Sequence, residues 1–327
     1  MTNAEELHRR SIVVDGHCDT LLLVCEGKIK LADRHESGHL DLPRMKEGGV
    51  TAQIFAVFVQ PEHLPSRATR RALQVIDALY RELEGNPDDL RLILCADDIL
   101  QAKAKGQVGA ILGLEGAEAL EGDLGVLRMM HRLGVRNIGL TWNFRNQAAD
   151  GVGEERTGGG LTTFGVSLVE EMNRLGILVD ISHLSPAGVE DVLKVSQKPI
   201  IASHSNARAI CDYRRNLTDA QMEKIAAKGG LAAVTFVPAF VEADSSKTSL
   251  PRVLDHVDYM VKVMGEDHVG IGSDFDGFSE DSKVAGLEDV SRMPGITAGL
   301  LERGYSEAAV QKILGGNFLR VFRQVAG

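Results

Sequence analysis

Residues 164–185 read FGVSLVEEMNRLGILVDISHLS. The first half has helical periodicity and stops at Gly176, the residue type that most easily takes the left-handed turn ending a helix. The second half, GILVDISH at 176–183, is a short, continuously apolar run. That pattern fits a strand buried on both faces of a parallel sheet. The run ends on a polar residue, His183. A helix feeding a fully buried strand with a ligand-type side chain at its C-terminal end is the repeating unit from which the rest can be read.

The unit recurs in both directions. Apolar runs occur at 11–17 (SIVVDGH), 50–59 (VTAQIFAVFV), 109–116 (GAILGLEG) and 135–142 (VRNIGLTW), then at 198–205 (KPIIASHS), 230–238 (GLAAVTFVP) and 268–275 (HVGIGSDF). With 176–183 they make eight strands. Helix-period segments lie between them, among them 70–85, with Leu73, Val75, Ile76, Leu79 and Tyr80 on one stripe, 218–230 and 251–265. Thr218 before Asp219 stands in capping position. Eight alternations of strand and helix predict an α/β fold, a closed (β/α)8 TIM barrel. The run LRLILC at 90–95 also reads as a strand and is assigned outside the barrel. The glycine-rich stretch 150–160 is expected to form a mobile lid or rim.

The chain has 327 residues, more than the ~250 typical of such a barrel but within the range reached with insertions. No linker or repeat divides it, so one domain spanning 1–327 is expected. Hydrophobic residues make up 44% and charged residues 25%, which suits an ordinary globular chain. The net charge of −10 argues against a nucleic-acid partner, because phosphate binding needs a basic surface. The four cysteines show neither CxxC spacing nor a disulfide framework, which suits a reducing compartment. No apolar run approaches the ~20 residues of a membrane span, and MTNAEELHRRS lacks the pattern of a signal peptide. A cytoplasmic protein with no membrane partner is the expectation.

The chemistry lies at the strand ends. His17 and Asp19 in DGHCD are two residues apart, so they share a face of an extended chain while Cys18 turns away as a buried filler. Glu115 ends the third run, His183 the fifth, His204 the sixth and Asp274 the eighth. In a barrel these ends form the catalytic face. Singly, each residue has a duller reading as a hydrogen-bonded structural group. Together, imidazoles and carboxylates converging from five strands without partners would cost several kcal/mol to bury. A metal site removes that cost, and the donor types suit zinc. His17, Asp19, Glu115, His183 and His204 exceed the needs of one tetrahedral ion with an open position. They fit two ions, with Glu115 placed to bridge. His8, His35, His39, His63, His131 and His256 fall in polar or helical stretches and are expected at the surface.

The motifs DGHCD, LGLEG, VDISHLS, SHSNAR, YRRN and HVGIGSDFDG, in this order, resemble the membrane (renal) dipeptidase family of zinc metallopeptidases, in its bacterial branch within the amidohydrolase-like superfamily. The likeness runs from about Ile12 to Phe322 and ends in GGNFLRVF. It implies two zinc ions per chain, one held by His17 and Asp19, the other by His183 and His204, with Glu115 bridging. It implies further that Asp274 handles the proton and that Arg215, the second Arg of YRRN, holds the C-terminal carboxylate of a dipeptide. Zinc would lower the pKa of a shared water, and the resulting hydroxide would attack the peptide bond. Acceptance of a D-residue at the C-terminal position and a homodimer are further expectations.

The family's animal members carry His in the motif LTH. Here the motif is LTWN at 140–143, so Trp142 and Asn143 are assigned to substrate binding. The family's hydrophobic tail is not seen after Gln324. Two alternatives stay open on sequence alone. One is a related binuclear amidohydrolase acting on another amide or a lactone, since fold does not fix function. The other, raised by Trp142, is an offshoot of the family without peptidase activity.

Overall fold

The structure, a computed structural model, describes residues 3–279 and 281–327. Among them are nine strands: β1 (Val14–Cys18), β2 (Ala52–Phe58), β3 (Leu90–Leu92), β4 (Val108–Glu115), β5 (Val135–Gly139), β6 (Leu178–Asp180), β7 (Ile201–Ala202), β8 (Leu231–Val234) and β9 (Val269–Ile271). All pairings between them are parallel. Strand β2 bonds β4 directly, from Ala52 opposite Gly109 to Phe58 opposite Glu115. From β4 the ring continues through β5, β6, β7, β8 and β9 to β1, which returns to β2. Eight strands therefore close a barrel. The short β3 bonds β4 alone, outside the ring, as expected for the run at 90–95.

Helices cover the outside because each strand is apolar on both faces and must be buried on both. Caps set their ends. Thr162 Oγ1 accepts the Gly165 N–H at the start of helix Thr163–Leu175, and Gly176 at φ 75° ends it and turns the chain into β6. Thr218 and Gln221 form a reciprocal capping box on helix Asp219–Ala227, as expected for that position. The bottom of the barrel interior is filled by Ile54, Ile111, Leu178, Ile201 and Leu231. Phe318, Val321 and Phe322 of the last helix, Asn317–Ala326, pack beneath them. The terminal GGNFLRVF stretch is therefore a plug at the face opposite the ligand-bearing strand ends.

Above this plug the interior turns polar. Asp15 is fully buried and accepts from the Ser273 N–H at 2.7 Å and the Ser273 hydroxyl at 2.6 Å. Asp180 accepts the N–H groups of Ser182 and Ser203, each at 3.0 Å. These bonds tie β1 to the segment after β9, and β6 to β7, directly below the strand ends.

The stretch 150–160 forms a rim, one of the two forms expected of it: it contains a 3-10 turn, Val152–Thr157, and Asp150 binds both the Arg145 guanidinium and the Thr157 hydroxyl. One expectation needs correction. His8, His39 and His256 are buried, not superficial. His8 bonds Thr297 Oγ1 at 2.7 Å and the Gly48 carbonyl at 2.8 Å. His256 accepts the Ala207 N–H at 3.2 Å and donates to the Val241 carbonyl at 2.9 Å. His39 accepts the Asp276 N–H at 3.0 Å and stacks on Phe275. Local pattern hides such burial, because the partners are distant in sequence and remove the cost of desolvating the ring. Cys18 is fully buried, as expected.

Candidate active site

The strand ends gather one cluster. His17 lies in β1 and Asp19 just beyond it, Glu115 ends β4, and His183, His204 and Asp274 follow β6, β7 and β9. All six are at least nine-tenths buried. His17 Nε2 stands 3.6 Å from Asp19 Oδ2 and 3.6 Å from Glu115 Oε2. His183 Nε2 is 3.0 Å from Glu115 Oε1 and 2.9 Å from His204 Nε2. The His17 and His204 rings are 4.0 Å apart. The ligand atoms form two overlapping groups, His17 with Glu115 and His204, and His17 with Asp19 and Asp274, each within 4.8 Å.

The backbone is bent to achieve this. His183 and Asp274 sit at φ 69° and 65°, a region that non-glycine residues seldom occupy and that marks functional sites. Asp276 shares it at φ 64°. Its carboxylate accepts from the Thr20 hydroxyl at 2.6 Å and the His39 N–H at 2.7 Å, which pins the DFDG turn. A Cβ at Gly277 would run into the carboxylates of Asp274 and Asp19; only glycine lets the turn close over them.

The electrostatics call for a cation. Burial lowers His183 to about 4, helped by the nearby Arg215, and drives His204 well below its ordinary value, helped by His17 and Arg215. Both rings are therefore neutral at pH 7. His183 Nδ1 lies 2.9 Å from Asn143 Oδ1, an acceptor, so Nδ1 carries the proton and the Nε2 lone pair points inward. It faces a carboxylate oxygen at 3.0 Å and the His204 ring nitrogen at 2.9 Å. Burial works to raise Glu115, but the neighbouring His17, itself pushed well above its ordinary value by Glu115 and Asp19 against the effect of burial, holds that carboxyl well below the usual range. Burial raises Asp274 well above that range, and the neighbouring Asp19 and Glu115 add to the effect. His17 has no hydrogen-bond partner on either ring nitrogen among the described residues. Converging neutral imidazoles, ionised carboxylate and orphaned ring nitrogens are the donor set a zinc-type cation takes.

A cleft of about 280 Å³ opens above the cluster. One side is apolar: Leu22, Phe58, Trp142, Val237 and Phe240. The other holds Asp19, Glu115, Asn143, His183, Asp274 and Asp276. Trp142 packs on Phe58 at 5.3 Å and lies 6.2 Å from the His183 ring. Arg215 is not among the cleft-lining residues but lies behind His183 and Ser205, in a narrow adjoining space. It is buried, its guanidinium bonds only Ser205 Oγ at 3.4 Å and the His204 carbonyl at 3.3 Å, and Nε has no partner. It packs over the Phe240 ring at 5.6 Å, and burial lowers it to about 10. No carboxylate among the described residues forms an ion pair with it.

The sequence matches the membrane dipeptidase family, peptidase family M19, over residues 1–327. The chain belongs to that family. As a member it is a metallo-dipeptidase, a hydrolase of peptide bonds. The dipeptidase is 35% identical over 326 residues to dipeptidase tcpJ of Claviceps purpurea (strain 20.1), covering 95% of this chain and 76% of that protein. Among solved structures it resembles dipeptidase AC, a metallopeptidase, with a TM-score of 0.91 at 34% identity, covering 97% of this chain and 99% of that one. It also resembles a metallopeptidase from Rhodobacter sphaeroides liganded with a phosphinate mimic of L-Ala-D-Ala, with a TM-score of 0.89 at 33% identity and coverage of 96% and 99%. No helix among the dipeptidase's described residues is long and apolar enough to cross a membrane.

Asp15, Asp180 and Asp276 escaped the sequence reading as parts of the dipeptidase site. A signal existed: Asp15 stands two residues before His17, Asp180 three before His183, and Asp276 two after Asp274. A carboxylate in an otherwise apolar run beside a ligand-type residue marks the group that braces it.

Proposed function

We propose that this dipeptidase uses two zinc ions, one held by His17 and Asp19, the other by His183 and His204, with Glu115 bridging. The observation that carries the reading is the inward convergence of neutral ring nitrogens on an ionised, buried Glu115. Zinc bound by such a set would supply a water of lowered pKa and a polarising charge for the carbonyl. The remaining steps belong to the chain. Asp274, raised by burial and by its acidic neighbours, takes the proton as hydroxide forms and returns it to the leaving amine. Arg215 receives the substrate's C-terminal carboxylate, supplying the anion that its buried guanidinium lacks. That anchor favours dipeptides, because a longer chain would carry its carboxylate past it. Trp142 and Asn143 line the cleft beside the scissile bond, and the wall of Phe58 and Trp142 takes an apolar side chain. Acceptance of a D-residue at the C-terminal position rests on the Rhodobacter sphaeroides relative with its L-Ala-D-Ala mimic. A cytoplasmic location rests on four free thiols.

The test is an assay of zinc-loaded protein against L-L and L-D dipeptides, with metal analysis and a chelator control. Close to two zinc per chain and cleavage abolished by the chelator are expected. Two bound zincs without cleavage would reject the substrate and redirect the search to other amides and to lactones. Full activity in metal-free protein would reject the ligand set.

A further inference from the structure

Asn143 has a more specific task than lining the cleft. Its Oδ1 lies 2.9 Å from His183 Nδ1, and among the described residues no other side-chain hydrogen bond holds that ring nitrogen. A carboxamide oxygen can only accept, so the ring must carry its proton on Nδ1 and turn the Nε2 lone pair toward Glu115 and His204. The opposite tautomer would aim an N–H at the position a cation needs. His204 has a weaker guide, a Ser203 hydroxyl 2.7 Å from Nδ1, which can donate or accept and so fixes no tautomer.

The rim is built to hold Asn143 there. The Gly153 N–H donates to the Asn143 carbonyl at 2.7 Å, and a Cβ at Gly153 would lie 2.5 Å from that oxygen. A Cβ at Gly151 would strike the Trp142 carbonyl and Asn143. The next residue along, Val152, donates its N–H to the His183 carbonyl at 2.7 Å. The same turn therefore grips His183 through its own backbone and through Asn143, at a residue held at φ 69°. Gly151 and Gly153 reflect this close approach.

We propose that Asn143 is a positioning residue that fixes the tautomer and orientation of His183 for metal binding. The inference rests on the ligand set proposed above. A carbonyl or carboxylate partner behind a ligand histidine is typically worth roughly 10–100-fold in metal affinity.

The experiment compares zinc affinity, by competition with a chromophoric chelator, for wild type, Asn143→Leu and Asn143→Asp. Apo-protein Tm is measured beside it, with KM and kcat at saturating zinc. Asn143→Leu removes the acceptor at similar size; Asn143→Asp keeps an acceptor. The expected result is a roughly 10–100-fold loss for Asn143→Leu at one of two sites, near wild-type affinity for Asn143→Asp, and apo Tm values that coincide. Unchanged zinc affinity with raised KM in Asn143→Leu would make Asn143 a substrate contact and overturn the inference. Equal losses in both variants would attribute the effect to local packing and overturn it as well. A wild type that binds no zinc would overturn the ligand set itself, a failure visible before any variant is compared.

Discussion

Replacing Arg215 by methionine should weaken the substrate and strengthen the fold. Burial lowers the guanidinium to about 10, which corresponds to about 3 kcal/mol against its charged form. Its only hydrogen bonds are long and go to neutral acceptors. Asp274, Glu115 and Asp180 lie near enough to favour the charge, but none is directly paired with it, and an apolar side chain of similar size relieves the remaining cost of burial. A substrate carboxylate that pairs with Arg215 recovers a comparable amount, about 3 kcal/mol, equivalent to roughly two orders of magnitude in binding. The assay measures kcat/KM for a dipeptide and for the same dipeptide with its C-terminal carboxylate amidated. Wild type should prefer the free acid by about a hundredfold. Arg215→Met should lose that preference through KM, retain its zinc, and melt in the apo form at or above the wild-type temperature. A variant that still prefers the free acid would show that the carboxylate is held elsewhere. A large fall in apo Tm would show that Arg215 serves the fold.

Asp274→Asn should keep both metals yet lose kcat by roughly 10²–10⁴-fold, the usual worth of a positioned acid–base; near-normal turnover would remove Asp274 from the proton path. Trp142→Ala should raise KM for dipeptides with bulky apolar side chains and leave glycine-containing substrates nearly unchanged, since it opens the wall against Phe58; a uniform loss across substrates would count against a specificity role. His256 is lowered to about 4 by burial. Its unfolded form takes up a proton near pH 6.5, so the unfolded state binds more protons between these values and stability falls as pH drops through the window. His256→Gln should remove up to about 3 kcal/mol of that acid sensitivity, read as a flatter dependence of unfolding free energy on pH from 6.5 to 4; an unchanged slope would mean that other groups carry it.

Much of the barrel was legible because fully buried strands leave continuous apolar runs, and five of the eight runs end on a residue that the structure carries to the mouth. Glu115 and His183 are examples: nothing in an apolar core needs them. Arg215 was different. Its position in YRRN gives no periodic signal, and its burial depends on Phe240 and Ser205, which no local pattern links to it. His8 and His256 were misread for the same reason, since Thr297 and Ala207 satisfy them across the chain. The rim at 150–160 looked mobile from its glycines alone. In the structure two of them, Gly151 and Gly153, mark close backbone contact with Asn143.

The order in which the ring closes matters for how the enzyme is made. Strand β1 finds its partners in β2 and in β9, the last strand among the described residues, and apart from the nearby His17 N–H the bonds to the Asp15 carboxylate come from Ser273, just after β9. A chain leaving the ribosome N-terminus first carries His17 and Asp19 early but cannot join them to Asp274 until almost all of it has emerged. An unfinished chain therefore lacks the cleft that Asp19 and Asp274 line together. The mouth of the barrel is completed only when the segment after β9 has joined β1.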